Sequence, residues 1–157
     1  MSAAELETTI TLVTARAEDI ESLVALRIAA MRESLESIGR FDPERARERV
    51  RAGFSPHHTQ HIEIDQRRVG FVVVMQDSGW LLLDHLYVHP RYRQGIGAAV
   101  LRRVFNDADQ LRLPIRVGVL RDSASNRFYM RHGFQLLEQG EFDNYYVRRH
   151  RTSGFTD

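Results

Sequence analysis

Cysteine is absent from the 157 residues, which excludes disulfides, thiolate metal sites and a covalent cysteine intermediate. Lysine is absent too, since all 22 basic residues are arginine. That bias is read as codon usage and not as function. No apolar run approaches the roughly 20 residues that span a bilayer, so no membrane partner is expected. Met1–Thr9 carries Glu5 and Glu7 and no basic-then-apolar pattern, so a secretory signal is not expected and a cytoplasmic location is. Net charge is only +1 and the arginines form no contiguous stripe, which argues against a nucleic-acid partner. The 43% hydrophobic and 27% charged content is that of an ordinary globular protein. The length suffices for a core without covalent staples.

Patterning predicts a mixed α/β fold. Thr9–Thr14 alternates as a strand. Glu18-Asp19 opens a helix with Ile20, Leu23, Val24, Ile28 and Met31 on one face, broken at Gly39. Asp42-Pro43 caps a second helix running to about Ala52. Gln60–Asp65 and Val69–Gln76 form a hairpin turning near Gln66-Arg67, and Trp80–Val88 is the fourth strand. From Gly95 to about Gln110, Ile96, Ala99, Val100, Val104 and Ala108 recur at helical spacing. A strand at Ile115–Val119, a helix at Asp122–Arg131 and strands at Phe134–Leu137 and Asn144–Arg148 complete the order. Strand and helix do not alternate from the start, which argues against a doubly wound dinucleotide fold. One domain over 9–150 is expected, with flexible ends at 1–8 and 151–157.

The stretch LLLDHLYVHPRYRQGIGAAVL, from Leu81 to Leu101, carries the strongest signal. A strand, a glycine turn and a helix in that order set backbone N–H groups at a helix N-terminus, a geometry that holds a pyrophosphate. Arg91 and Arg93 add charge-assisted partners for phosphate oxygens. No third glycine and no Gly-Lys-Ser/Thr follows, so neither a dinucleotide fingerprint nor a triphosphate loop is present. A second constellation, DSASNRFYMRHGF from Asp122 to Phe134, puts an aromatic pair on a helix stopped by Gly133. Phe128 and Phe134 read as core and Gly133 as a C-cap. Tyr129 has a phenol suited to protonating a leaving thiolate.

These two motifs resemble those of the GNAT superfamily of acyl-CoA N-acyltransferases. LYVHPRYRQGIGAAVL is similar to its cofactor motif and NRFYMRHGF to its second motif, and the likeness in element order covers Thr9 to Arg148. The resemblance implies a central, mostly antiparallel sheet of about seven strands flanked by about four helices. It implies acetyl transfer from acetyl-CoA to a primary amine by direct attack in a ternary complex, without a metal. Leu86, Tyr87 and Val88 would present backbone groups to the pantetheine arm, one N–H polarising the thioester carbonyl. Arg93, Gln94, Gly95, Ile96, Gly97 and Ala98 would cradle the pyrophosphate. Asn126 would face the same cleft, and Tyr129 would be the general acid. Two places depart from the family. Tyr92 stands where Gln or Arg is usual, in a segment one residue short, so Arg93 and Gln94 both stay open as phosphate ligands. Asp122 and Ser125 replace an Asn and an Ala, and Asp122 is expected to cap the helix.

Attack requires a neutral amine, hence a base. Strand alternation puts Leu82, Asp84 and Leu86 on one face and Leu83, His85 and Tyr87 on the other. Asp84, placed in an apolar run, is expected to be buried and its pKa raised; His85 has the better intrinsic pKa. A water chain is the third option. His57, His58 and His61 do not read as a metal site, because their segment enters a strand. Glu33 and Glu36 read as a solvated helix face. Tyr145 and Tyr146 are candidates for the acceptor side, one of them core. The acceptor is expected to be a small-molecule amine, a protein amine staying open along with the oligomeric state, a homodimer included. A non-catalytic acyl-CoA sensor is the alternative.

Overall fold

The computed structural model describes residues 2–37, 39, 42–92 and 95–151. Seven strands, β1 (Ile10–Thr14), β2 (Thr59–Ile64), β3 (Arg67–Gln76), β4 (Leu81–Val88), β5 (Ile115–Leu120), β6 (Gln135–Gln139) and β7 (Asp143–Arg148), form one sheet in the order β1-β2-β3-β4-β5-β7-β6, accompanied among the described residues by five α-helices. The β1–β2, β2–β3, β5–β7 and β6–β7 pairs are antiparallel and β4–β5 is parallel. The chain divides into two compact units, Met1–Val73 with His85–Val100, and Val74–Asp84 with Leu101–Asp157. Among the described residues no helix is long and apolar enough to cross a membrane.

The first unit opens with helix α1, Ala3–Thr9, where a flexible end was expected. Its sequence lacks an apolar stripe, but the Ser2 side chain accepts the Glu5 N–H at 3.2 Å and so caps it. Strand β1 is Ile10–Thr14. Helix α2, Ile20–Ser37, follows a 3-10 turn at Ala17–Asp19. Its buried face is Leu23, Val24, Arg27 and Ala30, turned from the expected stripe so that a guanidinium faces inward. Helix α3, Pro43–Gly53, begins as predicted, with Asp42 Oδ1 accepting from the N–H groups of Glu44 and Arg45 at 3.1 and 3.3 Å.

Strands β2, Thr59–Ile64, and β3, Arg67–Gln76, meet at Asp65-Gln66. Both turn residues lie at positive φ, 50° and 66°, the backbone that matches strand twist in a two-residue hairpin. Val69 to Val73 are all buried, Gly70 among them, as in a strand covered on both faces. Strand β4, Leu81–Val88, then leads through a 3-10 turn at Pro90–Tyr92 into helix α4, Ile96–Leu111.

In the second unit β4 pairs with β5, Ile115–Leu120, at Leu81↔Ile115 and Leu82↔Arg116. Helix α5 is Ser125–Arg131, three residues shorter than predicted at its start. Strands β6, Gln135–Gln139, and β7, Asp143–Arg148, complete the sheet. Leu101, Val104 and Ala108 of α4 form the core with Ile115, Phe134 and Tyr146. Arg148 is 5% exposed. It donates to Asp109 at 2.9 and 3.3 Å and lies 3.9 Å over the Phe105 ring. Burial pushes the Asp109 carboxyl up, but the Arg148 and Arg151 hydrogen bonds and charges outweigh it, holding the group below its usual range.

Asp19 ties the first unit together. Its Oδ2 meets His61 Nε2 at 2.9 Å and accepts the Arg16 N–H at 2.8 Å, while Arg68 donates to Oδ1 at 3.3 Å. His61 is 2% exposed, so one carboxylate joins a buried strand position to the start of α2. The His61 hydrogen bond first, then the Arg16 N–H and the Arg68 charge, lower the Asp19 pKa to about 2 against the opposing effect of burial. A depressed carboxylate stabilises the fold above its unfolded pKa, and the contribution vanishes as pH falls through the folded one. Urea midpoints should therefore drop between about pH 4 and pH 2. Asp19→Asn should weaken that dependence, Asp109 still contributing to it, and cost about 1–2 kcal/mol at pH 7.

Gly70 sets the approach of β3 to β4. A Cβ there would collide with the Tyr87 carbonyl oxygen and stand 3.1 Å from Val88 Cα and 3.2 Å from Ile62 Cδ1. Backbone cannot swing aside as a side chain can. Gly70→Ala should cost about 1–3 kcal/mol, the range for overpacking, seen as a lower urea midpoint at unchanged slope.

Candidate active site

The predicted phosphate turn is built from main chain. The His89 N–H donates to the Val69 carbonyl at 2.8 Å, holding the exit of β4 against β3. The Tyr92 N–H donates to His89 O at 2.8 Å, and the Arg91 N–H to His89 Nδ1 at 3.1 Å. Gly95 then sits at φ +82°, a left-handed conformation that glycine adopts without penalty. Its carbonyl accepts from the Ala99 N–H at 3.1 Å, the first bond of α4. The N–H groups from Gly95 to Ala98 thus have no acceptor within the helix, at the positive end of its dipole. A Cβ on Gly95 would stand 3.2 Å from Leu6 Cδ1, so α1 lies against the turn. Arg93 and Gln94 lie outside the described residues.

Along β4, His85 and Tyr87 share a face, as predicted. Their rings flank Phe71, at centroid distances of 6.2 and 5.4 Å. His85 Nδ1 lies 3.3 Å from the Tyr87 hydroxyl, and Arg27 Nε donates a long hydrogen bond to that hydroxyl at 3.4 Å. The guanidinium carbon is 5.6 Å from the Tyr87 ring centroid, within cation–π range. Arg27 is 4% exposed and donates from Nη1 to the Ala46 carbonyl at 3.0 Å. Among the described residues no carboxylate forms an ion pair with it.

Beside this chain of groups lies a small, open recess with room for about one water molecule. Leu23, Val50, Phe54, Phe71 and Val73 line it with His85. Asp84, expected to be buried in its apolar run, is exposed and belongs to the other unit. The desolvation that favoured it as a base is therefore lacking. Side chains alternate along β4, and the one that reaches the recess is His85.

In the second unit Tyr129 is 6% exposed. Its ring packs edge-on against Phe128 and Phe134 at 5.1 and 5.2 Å. Gly133, at φ +91°, ends α5 as expected, with the Phe134 N–H returning to the Tyr129 carbonyl at 3.1 Å. The expected capping by Asp122 is replaced: Asp122 is an exposed turn residue, and Ser123 Oγ accepts the Ser125 N–H at 3.1 Å. The side chain is one residue nearer the helix.

Asn126, expected as a cofactor ligand, is hydrogen-bonded throughout by protein groups. Its Nδ2 donates to the carbonyls of Leu120, Arg121 and Ser123 at 2.8, 3.2 and 2.7 Å. Its Oδ1 accepts from Asn144 Nδ2 and the Tyr146 hydroxyl at 2.9 and 2.7 Å. Both protons and both lone pairs are engaged by protein, so the amide braces the β5–α5 connection. Tyr146 is the core member of its pair, and Tyr145 is 42% exposed.

Of the histidine trio, His61 is held by Asp19 and His58 Nδ1 lies 2.8 Å from Ser55 Oγ. Glu36 forms an exposed pair with Arg32 at 3.5 Å, while the Glu33 side chain is not among those described. Sequence reading missed Arg27, Phe54 and Gly70. Arg27 had a signal: a lone cation four residues after Leu23, on the apolar side of α2. Phe54 and Gly70 had none, because each acts through tertiary approach.

The family description "Acetyltransferase (GNAT) domain" matches residues 56–136. Among solved structures, the chain is similar to the PaiA N-acetyltransferase of Thermoplasma acidophilum in complex with coenzyme A. That likeness has a TM-score of 0.75 at 18% identity, covering 90% of this chain and 99% of the other. An acetyltransferase from Thermus thermophilus gives 0.72 at 17% identity, covering 90% and 97%. The N-acetylglutamate synthase of Neisseria gonorrhoeae, complexed with coenzyme A and N-acetyl-glutamate, gives 0.63 at 18% identity, covering 90% and 35%. At these identities the structural likeness speaks to the fold. A search of curated protein sequences returns no match. The domain match takes in both the Gly95 turn and the Tyr129 helix and spans more than half of the sequence; the chain belongs to the GNAT acetyltransferase family and is an acetyltransferase.

Proposed function

We propose that the chain moves an acetyl group from acetyl-CoA to a primary amine by direct attack in a ternary complex. The observation that carries this reading is the Gly95 turn, whose left-handed glycine opens the first-turn amides of α4. Amides so arranged suit a diphosphate. In this reading the amides from Gly95 to Ala98 hold the pyrophosphate, with Arg93 or Gln94 as side-chain partner. Leu86, Tyr87 and Val88 offer main-chain groups to the pantetheine arm, and one N–H steadies the thioester oxygen as negative charge develops on it.

The amine nitrogen bonds to the carbonyl carbon, the C–S bond breaks, and Tyr129 gives its phenolic proton to the departing thiolate. The surplus proton of the amine leaves through His85, whose place on the recess favours it over Asp84, or through water. The step as written balances without a metal. The Thermoplasma structure contains coenzyme A and the Neisseria structure an acetylated amino acid, which supports a coenzyme A donor and a small-molecule acceptor.

Tyr129→Phe tests the acid. The ring keeps its packing against Phe128 and Phe134 and loses only the hydroxyl, so coenzyme A affinity by calorimetry should hold within about twofold. The rate of thiol release should fall about a hundredfold or more, the usual size of a general-acid contribution. Full turnover in this variant removes the role.

A further inference from the structure

We infer that His89 pins the turn between β4 and α4 by a hydrogen bond that only its neutral imidazole can make, so that the grip on coenzyme A loosens in acid. The inference rests on the coenzyme A reading of the Gly95 turn and adds its regulation. Three bonds converge on this residue. Its N–H donates to the Val69 carbonyl and its own carbonyl accepts from the Tyr92 N–H, both at 2.8 Å. The third differs in kind, because the Arg91 N–H donates to Nδ1 of the ring at 3.1 Å. A main-chain N–H can only donate, so Nδ1 is the acceptor and the neutral ring carries its proton on Nε2. A protonated imidazole has two N–H groups and no acceptor. The ring then turns from Arg91, and the bond is lost.

Asn and Asp make the same bond to the N–H two residues on, where they start turns, often just before proline. A histidine takes that place before Pro90, which gives a turn-starting bond a titratable acceptor. The Tyr92 ring stands edge-on to the imidazole at 6.1 Å, at the other end of the turn. Only Arg93 and Gln94 come between Tyr92 and Gly95 in the chain. A connection pinned at its start has less freedom to lose when an anion settles on the α4 amides. The charges on neighbouring elements are Arg91 of the turn itself, Arg68 next to Val69 on β3, and Glu5 next to Leu6 on α1. Arg68 is taken up by Asp19 and Glu63, at 3.3 and 3.7 Å.

The probe is 3′-dephospho-coenzyme A, which keeps the diphosphate and lacks the phosphomonoester that itself titrates at about pH 6. Calorimetry in about 0.3 M salt screens the attraction of an imidazolium for this ligand. From about pH 7.5 to 5.5, where histidine titrates, the dissociation constant should rise about fivefold, the worth of one such hydrogen bond. His89→Ala should bind about fivefold more weakly already at the higher pH and change little on acidification. His89→Asn keeps an acceptor that does not titrate, so it should recover most of that loss and stay flat with pH. In nitrogen-15 spectra of the free protein at the higher pH, the ring signals that vanish in His89→Asn should report a bare Nδ1 and a protonated Nε2. Where only the 3′-phosphorylated cofactor binds, the difference between wild type and His89→Asn is read with it, and the ligand's own titration cancels.

A wild-type constant unmoved or tightened by acid overturns the pin and leaves acyl transfer standing. So does a pH dependence that survives in His89→Asn, a proton on Nδ1, or His89→Ala binding like the wild type at the higher pH. Failure of the wild type to bind either form of the cofactor removes the coenzyme A reading and the grip with it, the ring proton then reporting on the turn alone.

Discussion

The close approach of two backbones at Gly70 is the constraint from which the site geometry follows. With no Cβ in the way, β3 lies directly against β4 at Tyr87 and Val88, and the Val69 carbonyl takes the His89 N–H at 2.8 Å. These contacts fix where β4 ends and from where the Pro90–Tyr92 turn departs. Main-chain groups held this way lose little freedom when a ligand arrives, since the fold has already ordered them. A diphosphate would thus meet donors that need no reorganisation.

Polar groups in the first unit divide into two kinds. Asp19, His61 and Arg68 form a complete set, each charge or dipole facing its complement. Arg27, Tyr87 and His85 form a second kind, in which a buried guanidinium donates to a carbonyl and a phenol. Complete sets serve stability. The contrast lies in the surroundings more than in the residue types.

The fold was legible where a pattern is local. The α4 stripe of Ile96, Ala99, Val100, Val104 and Ala108 is buried throughout, and Asp42-Pro43 starts α3 as its capping chemistry requires. The hairpin turn was placed one residue late because Asp65 and Gln66 adopt positive φ without a glycine to announce it. Helix α1 went unread because a serine cap, not an apolar stripe, sets its start. In the site, the Gly95 turn was legible since strand, glycine and helix follow one another in the chain. The exposure of Asp84 and the partners of Asn126 are not legible for one reason: a one-dimensional pattern gives a residue's neighbours in sequence, not what its side chain reaches. Asp84 sits among leucines yet turns outward, and Asn126 finds its partners twenty residues away in Tyr146 as well as nearby.

Leu6 gives the N-terminal helix a bearing on the far end of this unit. Its Cδ1 stands 3.2 Å from the point where Gly95 would carry a side chain, so α1 backs the turn like a wall behind a hinge. Settling of an anion onto the α4 amides would stiffen both together. Slowed hydrogen exchange in α1 would then report occupancy of the turn it packs against.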